Sequence, residues 1–318
     1  MSPGRTPPSM REIICHHYPQ SPVAEKVRVA LGIKQLSWRS VTIPRVPPKP
    51  DVDLLTGGYR RTPIMQIGAD VYCDSLCILQ ALEATVPEPS LFPDGNPCWW
   101  AGRWTDTVLM DLAAAIVLGA GVENLPPEFA ADRGRLYFGP NYDLHAFNRD
   151  LPHLAGQLRG HFGMMQESLG AQRFMHGERP GLRDVLCYYI VWFIRGRFAG
   201  GPELLTEFGE LCAWEGRVAD LGHGQSCDMS PEESLDSALG AASAAESRVD
   251  PEDPAGLEAD EPVEVVPDGE GGDPPVRGDL VILTRDHIAV RRAHERVGEV
   301  VVHFPRIGYR VARPASNQ

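Results

Sequence analysis

Hydrophobic and polar positions near the start of the chain predict a strand, a loop and a helix. The apolar pair Ile13-Ile14 is followed by polar and proline residues, and apolar side chains then recur at helical spacing (Val23, Val27, Ala30 and Leu31). The start of such a helix presents free backbone N–H groups and the positive end of the helix dipole. An anion, of which a thiolate is one, is therefore favoured beside Ser21.

The pattern continues in short elements up to about residue 97. Residues 36–43 alternate enough to predict a strand, and the four prolines of residues 44–50 predict an extended loop. From Asp74 onward, apolar residues return at helical spacing until two prolines near residue 88 interrupt them. Residues 87–97 are therefore predicted to be a linker.

Beyond Cys98 the pattern is helical. Apolar spacing predicts one long helix that includes Trp100, Trp104 and residues 112–119, and further helices over residues 151–169, 182–198 and 230–245. The helix over residues 182–198 is apolar on nearly all sides, as expected for a helix buried at the centre of a domain.

The last 70 residues change pattern again. Residues 251–262 are acidic, contain prolines and lack periodicity, which indicates a linker. Five short runs rich in β-branched and aromatic residues follow, at 263–266, 280–284, 288–292, 299–304 and 309–312. Such runs, separated by Gly, Pro and Asp, predict a small five-stranded β-barrel over residues 262–313, attached by an acidic linker over residues 246–261.

The negative charge of the chain is concentrated in one stretch. The net charge is −13, but residues 228–275 hold 15 Asp or Glu against one Arg, a local charge of −14, so the remaining residues sum to +1. Folded parts that are nearly neutral argue against nucleic-acid binding. Residues 277–313 carry a local charge of +4, so we expect the barrel to dock on its own chain or on a partner subunit. A neutralised surface without function is the alternative.

Cysteine usage and apolar content indicate a cytoplasmic protein. The seven cysteines are scattered through apolar context, without a Cys-x-x-Cys pair or metal-ligand spacing, so we predict reduced thiols and no metal site. Residues 1–11 lack the apolar core of a signal peptide and are predicted to be a disordered tail. The longest apolar run, residues 112–120, is shorter than the roughly 20 residues that a membrane span requires. We therefore expect a soluble protein that does not bind membranes.

Three segments of the N-terminal pattern resemble the glutathione S-transferase family. Residues 18–28, which read Tyr-Pro-Gln-Ser-Pro-Val-Ala-Glu-Lys-Val-Arg, resemble its first loop and helix. Residues 57–65 look like the loop and strand that carry the family's cis-proline, here Pro63. Residues 67–75 look like a hairpin strand that ends at an acid–serine pair. The resemblance covers roughly residues 12–215.

This resemblance implies an α+β fold. A thioredoxin-like, glutathione-binding domain is expected over residues 12–86, and an all-helical domain over residues 98–245, with residues 182–198 as its buried middle helix. Typical members of the family lack an equivalent of the predicted C-terminal β-barrel.

The resemblance also places Ser21 where serine-type transferases keep the residue that meets the sulfur of glutathione. A hydroxyl that donates a hydrogen bond to a thiolate lowers the thiol pKa. A free thiol with a pKa near 8.5 is about 3% ionised at pH 7, and a decrease of about two pKa units raises this fraction to about three quarters. The alternative is that Ser21 only caps the helix.

The remaining peptide-binding residues are implied in the same way. Thr62, ahead of the cis-proline, is expected to pair its backbone with the cysteinyl unit of glutathione. Ser75 is expected to hold the γ-glutamyl carboxylate at a helix N-terminus while Asp74 faces the α-amino group, although the pair is also a plain helix cap. Lys49 is a candidate partner for the glycyl carboxylate, with a solvated lysine as the alternative.

Three aromatic residues are candidates for the wall of an electrophile pocket between the two domains: Tyr18, Trp100 and Trp104. Aromatic residues at helical spacing are also common in cores, and this alternative stays open for the two tryptophans.

Two functions follow from these expectations. The first is a glutathione-dependent transferase that conjugates or isomerises a small electrophile, with glutathione as cosubstrate, no metal, and a homodimeric assembly. The second is a non-catalytic, transferase-like binding protein that works through its C-terminal β domain. The intact Ser21, Pro63, Asp74 and Ser75 favour the first, whereas the acidic linker and the additional barrel favour the second.

Overall fold

The computed structural model of the chain describes residues 12–315. The tail predicted to be disordered, residues 1–11, lies outside the described residues. The N-terminal unit contains four strands and three helices: β1 (Ile13–His17), α1 (Pro22–Ile33), β2 (Ser37–Thr42), α2 (Pro50–Thr56), β3 (Ile64–Ile67), β4 (Asp70–Cys73) and α3 (Ser75–Thr85).

The strand pairing of this unit is thioredoxin-like, which confirms the prediction. β1 pairs in parallel with β2 and antiparallel with β3, and β3 pairs antiparallel with β4. The strand predicted at residues 36–43 is present as β2. The sequence pattern does not predict α2, because its first residue is Pro50 and three more prolines precede it. Proline is compatible with the first turn of a helix.

The helical unit begins with one long helix, as predicted. It consists of α4 (Trp100–Arg103), a π-helical segment (Trp104–Leu109) and α5 (Met110–Gly121). Together they form a 22-residue helix, Trp100–Gly121, that is long and apolar enough to cross a membrane. Half of the most apolar 18-residue stretch of this helix is buried in the protein. Core helices of soluble proteins can be equally long and apolar.

The rest of the helical unit packs around a buried central helix, α9. Its elements are α6 (Pro127–Phe138), α7 (Leu144–Arg149), α8 (Leu151–Leu169), α9 (Leu182–Arg197), α10 (Gly201–Leu205) and α11 (Gly209–Ala219), whereas α12 (Pro231–Leu239) packs on the sheet, in the core that also holds the C-terminal strands. On α9, Tyr189, Val191 and Ile194 are fully buried, which confirms the predicted central helix. The helix predicted over residues 230–245 is shorter in the structure and starts at the Ser230 cap.

All five predicted C-terminal strands are present. They are β7 (Pro262–Pro267), β8 (Val276–Leu283), β9 (His287–His294), β10 (Gly298–Pro305) and β11 (Tyr309–Ala312). Two short strands were not predicted: β5 (Gln225–Asp228), which pairs with β2, and β6 (Arg248–Val249), which pairs with β8.

The C-terminal strands do not form the separate barrel that the sequence suggests. β10 pairs in parallel with β4, with Val301, Val302 and His303 opposite Asp70, Val71 and Tyr72. The described strands therefore make one sheet of eleven, in the order β11-β7-β8-β9-β10-β4-β3-β1-β2-β5, with β6 beside β8. An exposed strand edge carries unpaired N–H and C=O groups, and β10 satisfies those of β4.

A shared hydrophobic core explains why these strands join the main sheet. Ile14 and Val71 from the N-terminal unit belong to the same buried cluster as Val263, Val290 and Val302 from the C-terminal strands. The expectation that this region docks on its own chain is thus confirmed. It docks by extending the main sheet with its own strands.

The acidic segment at residues 246–261 is packed against the C-terminal strands, contrary to the expected free linker. Leu257 is 5% exposed and lies in the shared core. Acidic side chains of residues 250–261 form ion pairs with arginines of the last strands: Asp253 with Arg306, Asp260 with Arg291, and Glu261 with Arg313. Charge complementarity, together with the burial of Leu257, holds this segment in place.

Candidate functional site

A polar cavity lies where the N-terminal and helical units meet. Its volume is about 120 Å³, smaller than the roughly 300–1,000 Å³ of a drug-sized ligand site. Its lining comes from the start of α1, the loop before β3, the start of α3, the long helix and α6: Tyr18, Ser21, Val23, Tyr59, Arg60, Arg61, Thr62, Pro63, Asp74, Ser75, Asp106, Met110, Arg133, Leu136 and Tyr137. The structure therefore brings together Tyr18, Ser21, Thr62, Pro63, Asp74 and Ser75 from the sequence-predicted set.

Ser21 both caps α1 and lines the cavity. Its backbone is extended, and its Oγ accepts a hydrogen bond from the N–H of Ala24 at 3.1 Å. No acceptor for the Ser21 hydroxyl proton is found among residues 12–315. The two alternatives from the sequence are therefore compatible, because an oxygen that accepts the capping bond can still donate its proton to a bound anion.

Asp74 and Ser75 occupy the N-terminus of α3. Asp74 is the N-cap, and its Oδ1 accepts a hydrogen bond from the N–H of Leu76 at 2.8 Å. Its backbone has φ +75°, a left-handed conformation that is uncommon for residues other than glycine and is enriched at functional sites. Ser75 is 4% exposed. The helix N-terminus beside Ser75 suits a carboxylate.

Asp74 lies in an environment that opposes its negative charge. Burial raises the pKa of its carboxyl, and the nearby Asp106 carboxylate raises the pKa further. The ammonium group of Lys26, the N–H of Leu76 and the hydroxyl of Tyr309 act in the opposite direction. A cationic ligand group next to Asp74 would favour its ionised form.

The Thr62–Pro63 peptide bond is cis, as predicted from the family resemblance. Both residues line the cavity. The loop that carries them is held from behind by Lys49, whose Nζ donates to the carbonyl of Arg60 and to the Thr62 hydroxyl, each at 2.8 Å.

Lys49 lies outside the cavity lining, although the sequence analysis named it as a candidate partner for the glycyl carboxylate. It is 2% exposed, and burial together with the charges of Arg133 and Arg60 lowers the pKa of its ammonium group to about 7. In the described structure it supports the Thr62 loop, and the cations that line the cavity are arginines.

Three arginines, none of them identified from the sequence, form the cationic side of the cavity. Arg60 and Arg133 both form ion pairs with Asp132. Arg61 binds Asp273 through two hydrogen bonds, from Nε at 3.0 Å and from Nη2 at 2.7 Å. Asp74 and Asp106 are the acids of the lining, and each of the three arginines is paired with Asp132 or Asp273. The lining therefore offers guanidinium donors to an anionic group without an excess of positive charge.

Of the three aromatic candidates, the structure brings only Tyr18 to the cavity. Its hydroxyl accepts a hydrogen bond from Nη2 of Arg133 at 3.1 Å. Trp100 is 76% exposed on another face, and Trp104 packs edge-on against His161. The π-helical segment Trp104–Leu109 changes the helical spacing, so that Asp106 and Met110 face the cavity instead.

Asp106 is a site residue that sequence reasoning missed. Its Oδ1 accepts hydrogen bonds from Nζ of Lys26 at 2.5 Å and from the Tyr189 hydroxyl at 2.9 Å. Lys26 is fully buried on α1, and a buried lysine requires an acceptor. A lysine on an apolar helix is therefore a signal in the sequence, although nothing near it identifies Asp106 as the partner.

The described residues contain no group of three or more His, Cys, Asp or Glu arranged to hold a metal ion. The functional groups that line the cavity are two serine hydroxyls, one threonine hydroxyl, three phenols, two carboxylates, three guanidinium groups and the N-terminus of α3.

Comparison with known proteins identifies relatives of the sequence and of the fold. The sequence profile of the N-terminal domain of glutathione S-transferases matches residues 16–90, which carry the Ser21, Pro63 and Ser75 segments. A glutathione S-transferase-like protein from Pseudomonas syringae is 31% identical and has a TM-score of 0.72, with 96% of this chain and 100% of that chain covered. The C-terminal strands therefore fall within a match that spans nearly the whole chain.

Two more distant structures share the fold of about two thirds of the chain. A glutathione transferase from Phanerochaete chrysosporium is 22% identical with a TM-score of 0.52, over 67% of this chain and 98% of that chain. A Tau class glutathione S-transferase from mango, Mangifera indica, is 13% identical with a TM-score of 0.50, over 67% and 94%. Among curated protein sequences, none matches the chain.

Proposed function

Since the chain belongs to the glutathione S-transferase family, we propose that it binds glutathione in the cavity and activates the thiol for attack on a small electrophile. The observation that carries the proposal is the convergence of Ser21, the cis Thr62–Pro63 bond and the Asp74–Ser75 helix start on one cavity. These groups come from three separate elements of the fold. None of these elements needs the other two nearby in order to form.

The lining offers a partner for each polar group of glutathione. The γ-glutamyl carboxylate takes the helix N-terminus at Ser75, and the α-ammonium group takes the Asp74 carboxylate. The cysteinyl unit pairs with the backbone at Thr62, which directs its sulfur towards Ser21.

The glycyl carboxylate takes the cationic side at Arg60 and Arg133, in place of the buried Lys49. Glutathione carries two carboxylates and one ammonium group, which correspond to the guanidinium groups and helix N-terminus of the lining and to its Asp74 carboxylate.

The chemical step is nucleophilic attack by the thiolate. The Ser21 hydroxyl donates to the sulfur and stabilises its charged form, which lowers the thiol pKa. A decrease of about two pKa units increases the thiolate at pH 7 about 25-fold, before the accompanying loss of intrinsic nucleophilicity. The sulfur lone pair forms the new C–S bond, and either a leaving group departs with its electron pair or the resulting carbanion takes a proton from solvent.

The non-catalytic alternative required a C-terminal β domain that works independently. The joined sheet argues against such independence, because β10 and β4 are paired and Tyr309 and Asp273 contact residues of the cavity. We therefore favour the enzymatic proposal, with a cytoplasmic location and a homodimer as further parts of it. Light scattering on the purified chain measures the oligomeric state directly.

Titration calorimetry with glutathione, followed by a chromogenic conjugation assay, tests the proposal. We expect saturable binding at one site per chain and a rate of conjugation that depends on enzyme concentration. Absence of binding at millimolar glutathione would contradict the proposed ligand. Binding without turnover across a panel of electrophiles would support the non-catalytic alternative.

A further inference from the structure

We propose that the C-terminal strands form part of the glutathione site, with Tyr309 of β11 as a residue that positions the Asp74 carboxyl group for the ligand. This inference rests on the proposed function and extends it, because it assigns a ligand-binding role to a region that lies outside the thioredoxin-like and helical units.

A chain of hydrogen bonds connects β11 to the γ-glutamyl end of the cavity. Tyr309 is 4% exposed, and its hydroxyl donates to Oδ2 of Asp74 at 3.1 Å. The Tyr59 hydroxyl lies 3.1 Å from the Tyr309 hydroxyl. A phenol carries one proton, so Tyr309, which donates it to Asp74, accepts from Tyr59. The chain of hydrogen bonds therefore runs from Tyr59 through Tyr309 to Asp74.

The two oxygens of Asp74 are held by different parts of the protein. Oδ1 accepts from the N–H of Leu76 within its own helix, whereas Oδ2 accepts from Tyr309, which is 235 residues away in the sequence. With both oxygens bonded, the plane of the carboxylate is fixed. A fixed acceptor is what an incoming ammonium group requires for a charge-assisted hydrogen bond.

The charges around Asp74 make this support necessary. Its burial and the Asp106 carboxylate both raise the pKa of Asp74. The groups that surround it are the acid Asp106, the cations Lys26 and Arg61, the phenols Tyr59 and Tyr309, and the thiols Cys73 and Cys77. Hydrogen bonds to the charged form counteract the shift, and Tyr309 supplies one of the two.

A second contact from the C-terminal region reaches another residue of the cavity lining, Arg61. Asp273, in the loop between β7 and β8, has a side chain that is 6% exposed and forms two hydrogen bonds to Arg61. The loop approaches closely at Gly271, where an added Cβ would lie 3.0 Å from the Leu136 carbonyl oxygen and 3.5 Å from Nη2 of Arg61. Arg61 and Leu136 both line the cavity. Two separate segments of the C-terminal region therefore fix cavity residues.

The decisive experiment measures the glutathione dissociation constant of Tyr309→Phe by calorimetry between pH 5 and pH 8. Binding of the α-ammonium group requires ionised Asp74, so affinity falls as the pH decreases through the Asp74 pKa. Loss of the hydroxyl raises that pKa further, and we expect the acidic limb of the profile to move upward by about one pH unit. Near that limb, affinity should decrease about tenfold.

The matched control is Val311→Ala, two residues further along β11. Val311 is 7% exposed and belongs to the shared core, so the variant loosens the strand without touching Asp74. It should lower the midpoint of thermal unfolding and leave the acidic limb in place. A Tyr309→Phe profile that superimposes on that of the parent would overturn the inference.

Two further variants keep the test decisive. In Asp74→Asn, the acidic limb should be absent, and adding Tyr309→Phe should cause no further loss of affinity. If Tyr309→Phe does not fold, the same titration is carried out on Tyr59→Phe, which removes the donor to Tyr309. An acidic limb at the same pH in Tyr59→Phe as in the parent would contradict the inference. A parent chain that does not bind glutathione at any pH refutes the proposed function itself. Binding that is the same with and without the Tyr309 hydroxyl refutes only the role of Tyr309.

Discussion

At the scale of single residues, Ser21 combines a structural and a chemical role that one substitution can separate. Ser21→Ala removes the cap of α1 and the donor to the sulfur together. We expect a loss of about 1 kcal/mol in the free energy of unfolding. The conjugation rate should fall by an order of magnitude or more, with glutathione affinity within a few fold, because the peptide is held elsewhere.

Ser230→Ala provides the control for Ser21→Ala. Ser230 caps α12, where its Oγ accepts from the N–H of Glu233 at 3.1 Å, and it lies outside the cavity lining. Its loss should cost a similar amount of stability and leave the rate unchanged. The pH profile of the rate should move upward only in Ser21→Ala, and an unchanged profile would assign Ser21 to capping alone.

Ser75→Ala should weaken the binding of glutathione and leave the rate of the chemical step unchanged. Removal of a partner from the γ-glutamyl carboxylate should weaken glutathione binding by about 1–3 kcal/mol. Titration calorimetry measures this loss, and Asp143→Ala, which removes an exposed helix cap on α7, is the control. Parental affinity in Ser75→Ala would remove Ser75 from the site.

Local sequence identifies residues whose role depends on neighbouring backbone. Ser21, Pro63, Asp74 and Ser75 each stand at a helix start or turn, so a short motif is sufficient to find them. Asp106, Arg133 and Tyr309 reach the cavity from distant elements, and no spacing in the sequence connects them to Ser21. The π-helical segment, which moves Trp104 away from the cavity, has no signal in the apolar pattern either.

At the scale of elements, the strands were predictable and their partners were not. Runs rich in β-branched and aromatic residues, separated by Gly, Pro and Asp, identify β7 to β11 within a few residues. The edge that a strand joins depends on which neighbouring edge is free and on the shape of the shared core. The pairing of β10 with β4 is therefore visible only in the folded structure. From the sequence alone, a separate barrel is the simplest interpretation of the five strands.

The junction of β4 and β10 contains a polar network with a defined pH dependence. Asp70 accepts from His303 at 3.1 Å and from the N–H of Ala244 at 2.8 Å, and also from the Ser243 hydroxyl. Burial alone would raise the pKa of Asp70, but these hydrogen bonds outweigh it and lower the pKa below its ordinary value. The stabilisation is therefore present above the unfolded-state pKa, about 4, and is lost as the pH falls through the lowered folded pKa.

We expect Asp70→Asn to reduce the free energy of unfolding by about 1–3 kcal/mol at pH 7. The difference from the parent should shrink below about pH 4, because the parent then loses the same interaction. Urea denaturation at pH 7 and pH 3 measures both values. Asp279→Asn on β8 changes an exposed carboxylate and should remain within about 0.5 kcal/mol of the parent; a constant Asp70→Asn difference at both pH values would contradict the assignment.

At the scale of the whole molecule, the sheet and the shared core make the C-terminal region a part of the folding unit. Deletion of residues 246–318 would expose the edge of β4 and apolar side chains such as Val71. We expect the truncated chain to be insoluble or to form large aggregates in size-exclusion chromatography. A soluble, monodisperse truncated chain with parental glutathione affinity would contradict this prediction.

The covered edge of β4 also has a consequence for the order of events during synthesis. β4 leaves the ribosome more than 200 residues before β10, and at about 5–20 residues per second this interval lasts roughly 10–45 s. Throughout that time the nascent thioredoxin-like unit presents an unpaired strand edge beside an incomplete core. Completion of the sheet must wait for the synthesis of β10, so a chain that is terminated before residue 298 leaves the edge of β4 without its partner strand.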